Sequence, residues 1–161
     1  MTPILYIVVP CYNEQEVLPL SNPVLMGLVG ELAKKVEIRK ESRVLYVNDG
    51  SADQTWTLIE QYHEASPYVG GVRLAGNKGH QNALMAGLTV ACQKADVMVT
   101  IDADLQDDVN AIREMLMKYK CGGGGYSLWR QEGSENRYLV QAQHRASLLP
   151  TDAQPRREKR L

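Results

Sequence analysis

The amino-acid sequence predicts an α/β domain with a mostly parallel sheet, Rossmann-like in plan and covered by helices on both faces. Three observations carry this. Short apolar runs alternate with segments of helical period from residue 4 to about residue 120. The runs are continuous rather than alternating, as strands buried on both faces require. Polar turns follow them, at the strand ends where open α/β sheets bind ligands. With 161 residues, 44% hydrophobic and 23% charged, the chain has the size of one ordinary domain.

Ile4–Val9 reads as the first strand, ended by Pro10. Leu25, Leu28, Val29, Leu32 and Val36 recur at helical spacing. Arg43–Asn48 is a second strand, broken by Asp49-Gly50-Ser51. A helix follows, capped by Ser51 or Asp53, with Trp56, Ile59 and Tyr62 on one face. Val69–Leu74 is a third strand and Lys78 to Gln93 a third helix. Val97–Ile101 is a fourth strand and Asn110–Tyr119 a fourth helix.

Composition excludes several classes. No apolar run approaches the roughly 18 residues of a membrane span, and no signal peptide opens the sequence. A net charge of -1 gives no general argument for nucleic acid. Cys11, Cys92 and Cys121 are far apart and odd in number, so they read as plain thiols in a reducing, cytoplasmic setting. The sequence has eight Tyr, two Trp and no Phe.

Four turns hold the candidate chemistry. After the first strand, Tyr12 can stack on a base and Glu14 can accept hydrogen bonds from a ribose or base; a plain helix start is the alternative. After the second, Gly50 permits a tight turn and Asp49 can read a base N–H or ribose hydroxyls, although such turns are common. After the third, Asn77 reads as a cap and Gly79 lets backbone approach a phosphate at a helix N-terminus. His80 there is a partner for phosphate or sugar, or a merely solvated histidine. After the fourth strand come Asp102, Asp104 and Gln106, which an extended chain would turn to one point. Hard oxygen ligands suit Mg²⁺ or Mn²⁺, with a ligand's phosphates completing the shell; the alternative is an acidic, solvated loop.

The segments V-V-P-C-Y-N-E at 8–14, V-N-D-G-S-A-D at 47–53, N-K-G-H-Q-N-A-L-M-A-G-L at 77–88 and I-D-A-D-L-Q-D at 101–107 stand in order. Together they resemble family 2 glycosyltransferases of the GT-A fold. The likeness is to the polyprenyl-phosphate sugar transferases of the cell envelope, the dolichol-phosphate mannosyltransferase and undecaprenyl-phosphate glucosyltransferase group.

The resemblance implies a UDP- or GDP-sugar donor bordered by Pro10, Tyr12 and Glu14, with Asp49 against the base or ribose. Many relatives have a second Asp where this chain has Asn48, which bears on base preference. It implies that Asn77, Lys78 and Gly79 floor the ribose and diphosphate, and that Asp102, Asp104 and Gln106 hold the metal, Asp104 being catalytic. The implied reaction inverts the anomeric carbon. A phosphate acceptor is already an anion, so it demands little of a general base. The alternatives are a catalytically silent nucleotide-binding remnant, a transferase acting on a saccharide hydroxyl, and a soluble partner module whose acidic loop is only structural.

The resemblance covers residues 3 to 120, and the text changes after it. Residues 1–129 carry 11 Lys and Arg against 15 Asp and Glu, whereas residues 130–161 carry 7 against 4. The break falls at Gly122–Gly125. Codons for Gln131 onward, taken one nucleotide later, force Lys or Arg at Gln131-Glu132, Glu132-Gly133, Glu135-Asn136 and Gln141-Ala142. They permit Trp at Leu139-Val140 and Phe at Val140-Gln141. The permitted text resembles the basic segment and amphipathic helix of the same family. Residues 1–120 are thus expected to be a donor-binding half, C-terminally truncated, and 121–161 an out-of-frame, disordered tail. The acceptor and the membrane, on its cytoplasmic face, would be reached only through the missing part.

Overall fold

The computed structural model describes residues 2–106, 108–121, 126–130 and 137–142. Its elements are β1 (Leu5–Cys11), α1 (Leu18–Lys34), β2 (Arg43–Asn48), α2 (Thr55–Ala65), β3 (Val69–Arg73), α3 (His80–Ala91), β4 (Val97–Thr100), α4 (Ala111–Lys120), β5 (Tyr126–Arg130) and β6 (Arg137–Ala142). Among the described residues the strands form one sheet in the order β3-β2-β1-β4-β6-β5. The first four are mutually parallel, while β6 is antiparallel to β4 and β5. As far as α4, the predicted order of strands and helices is the observed one.

Every residue of β1 is buried because the strand is covered twice. Leu5, Ile7 and Val9 join Leu25, Leu28, Val29 and Leu32 of α1, Ile59 of α2, and Ile112 and Leu116 of α4. Tyr6 and Val8 point the other way and meet Ala83, Leu88 and Ala91 of α3. Full burial of such side chains contributes roughly 1.5–3 kcal/mol each. The placement follows from handedness. The path β1-β2-β3 runs one way with α1 and α2 on one face, and the return to β4 carries α3 over the other face, as right-handed crossovers require.

Pro10 does not end the first strand, which runs on to Cys11. The Val8 carbonyl accepts from Ile101 N–H and the Cys11 carbonyl from Asp49 N–H, so even residues face β4 and odd residues face β2. Pro10 therefore turns its nitrogen towards β4 beyond Thr100, where that strand has finished, and no ladder bond is lost. Val36 also departs from the expected stripe: it lies past α1, 71% exposed with φ 55°. The helix stops at Lys34, so the last turn of the predicted period is never formed.

Residues 126–130 and 137–142 are a hairpin on the β4 edge, where a disordered tail was expected. The unpaired backbone groups of β4 offer a ladder that an extended segment can complete. The rest of that tail, 122–125, 131–136 and 143–161, lies outside the described residues. Among the described residues no helix is long and apolar enough to cross a membrane.

Candidate functional site

The parallel strands deliver four turns to one end of the sheet. β1 leads to Tyr12–Glu14, β2 to Asp49–Asp53, β3 to Asn77–Gly79 and β4 to Asp102–Gln106. β2 and β4 flank β1 on opposite sides, so the strand order reverses between β1 and β4. That reversal opens the crevice in which doubly wound sheets hold nucleotides.

Beside it, over the ends of β1 and β2 and the start of α3, lies a cleft of about 180 Å³, lined by Pro10, Cys11, Tyr12, Glu14, Asp49, Asn77, Gly79, His80 and Ala83. Four of these, Pro10, Tyr12, Glu14 and Asp49, were predicted around the nucleoside, and Asn77 and Gly79 come from the predicted floor. Tyr12 is 48% exposed, so a ring face is accessible for stacking. A larger groove of about 750 Å³ runs along edge strand β3, between Trp56, Ile59 and the backbone of Gly70 and Gly71. Its lining comes from β3, α2, the end of α3 and parts of β1 and β2, and includes none of the predicted site residues, so size does not decide the site.

Hydrogen bonds lock the first two turns together. Asn13 N–H donates to Ser51 Oγ at 2.9 Å, and Ala52 N–H returns a bond to Asn13 Oδ1 at 3.0 Å. Glu14 N–H donates to Thr55 Oγ1, Gln15 N–H to Asp53 Oδ2 and Gln54 N–H to Gln15 Oε1. Asn13 adopts φ 55°, a conformation that asparagine tolerates better than most residues. Asp53 Oδ1 also accepts Thr55 N–H, but the cap position of α2 falls to Gln54 rather than to either predicted cap, Ser51 or Asp53. Burial raises the Asp53 carboxyl, but hydrogen bonds from Thr55 and Gln15 outweigh it and hold the group below its ordinary range. Asn13, Gln15 and Thr55 had no predicted role; the only signal was a turn-and-cap composition.

The third turn is tied to the second through Asp49. This carboxylate is 3% exposed and accepts Lys78 N–H at 2.7 Å and Gly79 N–H at 2.9 Å. Gly50 (φ 68°) lets the turns close, since a Cβ there would lie 2.5 Å from the Asn77 nitrogen. Those two amides are therefore engaged by the chain's own anion rather than held ready for a phosphate. Lys78 does not line the cleft; it contributes backbone. Asn77 Oδ1 also accepts Gly79 N–H, close to the predicted cap role, but α3 starts at His80 behind Gly79.

The fourth turn differs from the extended segment that was expected. Pairing with β1 stops at Thr100, and Leu105 N–H then folds back to the Asp102 carbonyl at 3.3 Å, with Leu105 at φ 51°. Burial still alternates: Ile101 and Ala103 are buried, whereas Asp102, Asp104 and Gln106 are exposed. Gln106 donates its backbone N–H to Asp104 Oδ1 at 3.2 Å. His80 Nε2 stands 3.9 Å from Asp102 Oδ1, joining α3 to this turn. The Glu14 carboxyl is raised by burial first and then by the charges of Asp104, Asp53 and Asp102, which places β1's turn and β4's turn in one electrostatic neighbourhood. Among the described residues no three His, Cys, Asp or Glu side chains form a ready-made metal cage. Two carboxylates still meet the protein's share for Mg²⁺ or Mn²⁺, which keep waters and take phosphate oxygens.

Cys11 is buried under the cleft and donates to the Val9 carbonyl; burial, then Glu14, pushes its thiol far up. It is a packing residue, not a nucleophile.

A sequence profile of the family described as Glycosyl transferase family 2 matches residues 6–160, a range that includes part of the tail set apart above. The chain is 45% identical over 120 residues to an uncharacterized glycosyltransferase, YkoT, of Bacillus subtilis strain 168, covering 74% of this chain and 36% of the relative. It is 32% identical over 116 residues to a prophage bactoprenol glucosyl transferase homolog of Escherichia coli strain K12, covering 72% of this chain and 35% of the relative. The chain thus spans about a third of the length of these curated relatives. Among solved structures, the mannosyltransferase PcManGT of Pyrobaculum calidifontis, in complex with GDP-Man and Mn²⁺, is similar with a TM-score of 0.60. Identity is 20%, with 81% of this chain and 36% of that chain covered, a likeness of fold alone.

Proposed function

The chain belongs to glycosyl transferase family 2, with the GT-A α/β fold, and on that premise we propose that it carries the donor-binding half of a polyprenyl-phosphate sugar transferase. The reading is supported chiefly by one arrangement: the cleft among the β1, β2 and β3 turns, with Tyr12 and Glu14 on one wall, Asn77 and Gly79 on another, and the exposed Asp102 and Asp104 turn reached through His80.

In this reading the donor is a UDP- or GDP-sugar. Pro10, Tyr12 and Glu14 border its nucleoside, with Asp49, Asn77, Lys78 and Gly79 behind. Asp102 and Asp104 hold Mg²⁺ or Mn²⁺, with Gln106 beside them. The metal, when bound, stabilises charge on the departing diphosphate. The acceptor is a polyprenyl phosphate, in keeping with the bactoprenol of the relative's name, and in this reading it is met at the cytoplasmic face of the membrane. Its phosphate arrives ionised, so Asp104 serves the metal and no general base is assigned. Nucleic acid is not a partner in this reading.

The division at residue 120, with 121–161 read out of frame, belongs to the same proposal. It favours a second reading: this chain binds donor but is silent in transfer, because the family's basic segment is not in its text. Loss of acceptor positioning removes orders of magnitude in rate.

The test is calorimetry with UDP and GDP. Binding is expected to be stronger with Mn²⁺ or Mg²⁺ than with chelator, and Asp104→Ala should abolish that difference. Equal, metal-independent binding by both proteins would overturn the metal assignment. A radiolabelled-sugar assay with polyprenyl phosphate then separates transferase from silent remnant.

A further inference from the structure

We propose that His80 contacts the donor's diphosphate, donating its Nε2–H to a phosphate oxygen, and so carries the ligand from the nucleoside cleft to the Asp102 and Asp104 turn. This rests on the nucleotide-sugar reading of the cleft.

The first support is the face that His80 occupies. His80 and Ala83 are three positions apart on α3, which puts them one above the other on the helix surface. Ala83 is fully buried, and both residues line the cleft. The imidazole therefore stands on the wall of the cleft, with its side chain 56% exposed.

The second is where the ring ends. Nε2 lies 3.9 Å from Asp102 Oδ1, in the fourth turn. That separation exceeds hydrogen-bond length, so the ring nitrogen is not committed to the carboxylate. A donor with its nucleoside in the cleft and its metal on Asp102 and Asp104 has its diphosphate between the two, beside this nitrogen.

The third is charge. Glu14 and Asp49 bring two carboxylates to the lining, and among the described residues no Lys or Arg lines the cleft. The Lys78 and Gly79 amides already bond Asp49, and Cys11 donates its S–H to the Val9 carbonyl. A diphosphate needs donors wherever the metal does not reach. An imidazole supplies one from Nε2–H, in the corresponding tautomer, without taking on charge. Its bond to an anionic oxygen is of the strong, charge-assisted class.

Calorimetry in Mg²⁺ compares the unsubstituted chain with His80→Ala and His80→Gln. UDP and GDP affinities should both fall about tenfold in His80→Ala, the scale of one hydrogen bond to a charged group. Uridine and guanosine, measured by displacement, should bind all three proteins alike, since they carry no phosphate. His80→Gln should recover most of the loss, because its amide nitrogen reaches nearly as far and still donates. Unchanged UDP and GDP affinity, an equal loss for nucleosides and diphosphates, or a Gln variant as weak as the Ala variant each overturns the proposal.

Inorganic pyrophosphate probes the same contact without a nucleoside. With Mg²⁺ it should slow the exchange of the His80 Nε2 proton with water and bring its resonance into the imidazole nitrogen–proton correlation spectrum. Absence of that resonance from His80→Ala identifies it. Pyrophosphate that binds without such a resonance, or equally well to His80→Ala, overturns the proposal. If UDP and GDP fail to bind while pyrophosphate binds through His80, the nucleotide reading fails and the contact stands. If pyrophosphate fails as well, the proposal fails with it.

Discussion

Thr55 Oγ1 accepts the backbone N–H of Glu14 at 2.8 Å, so the first residue of α2 holds the chain as it leaves β1. Thr55 is fully buried and lies 41 positions from its partner. The bond is one of several that make the first two turns a single body, onto which Asp49 fastens the third. The wall of the cleft that carries Tyr12 and Glu14 is thus preorganised by residues that do not line it.

Thr55→Val tests that preorganisation. Valine keeps the shape and removes the acceptor, leaving the Glu14 N–H unsatisfied at the base of the cleft. A stability loss of about 1–3 kcal/mol is expected in urea denaturation, with increased exchange at the Glu14 amide. An unchanged midpoint would show that water replaces the hydroxyl without cost.

Gly87 and Gly27 are both helical glycines with opposite expectations. A Cβ at Gly87 would lie 2.5 Å from Val8 Cγ1 and 2.7 Å from Val47 Cγ2, against β-branched side chains in a packed core. Gly87→Ala should cost about 1–3 kcal/mol through overpacking. Gly27 in α1 is exposed with nothing within 4 Å, so Gly27→Ala should stabilise by roughly 0.5–1 kcal/mol through helix propensity. Denaturation midpoints that moved in the same direction would contradict the close approach of α3 to β1 and β2.

The strands and helices were legible because they depend on local period. Arg43–Asn48 is predicted and observed with the same ends, and Trp56, Ile59 and Tyr62 pack on the core from one face. The extension of β1 through Pro10 was not legible, because it depends on where the neighbouring β4 stops. Asp102–Gln106 bent for the same reason: without a partner strand beyond Thr100, period-two reasoning loses its basis. Asp49 was recognised as a site residue from its turn, but its partners lie 29 and 30 positions away. Spacing along the chain carries no record of such pairs.

Acid should weaken the turn assembly through Asp53. Its carboxyl is held below the ordinary value, so the folded state binds a proton less readily than the unfolded chain. The contribution is complete above the unfolded pKa near 3.9 and is lost as pH falls through the lower folded value. Asp53→Asn removes the charge and should flatten that part of the stability profile. Urea midpoints measured from about pH 5 downwards for both proteins check the sign; parallel profiles would mean that the hydrogen bonds from Thr55 and Gln15 are indifferent to ionisation.

The reading of residues 121–161 makes a prediction about nucleotides rather than side chains. In the coding sequence, the neighbouring frame from about codon 121 should stay open past codon 161 and spell a basic, Trp- and Phe-containing segment. It should then reach apolar runs of roughly 20 residues, suited to membrane helices. The argument rests on codons that leave no choice: Gln followed by Glu, and Glu followed by Gly or Asn, yield only Lys or Arg in that frame. Restored cations would provide phosphate partners that the acidic 1–129 segment is poor in, and an amphipathic segment would bring the cleft to the lipid surface. Expression in the corrected frame should therefore give a membrane-bound protein with lipid-linked transfer. A stop codon close to position 161 in that frame, or a continuation without apolar runs, would show that the tail is genuine and that its hairpin on β4 is part of the native sheet.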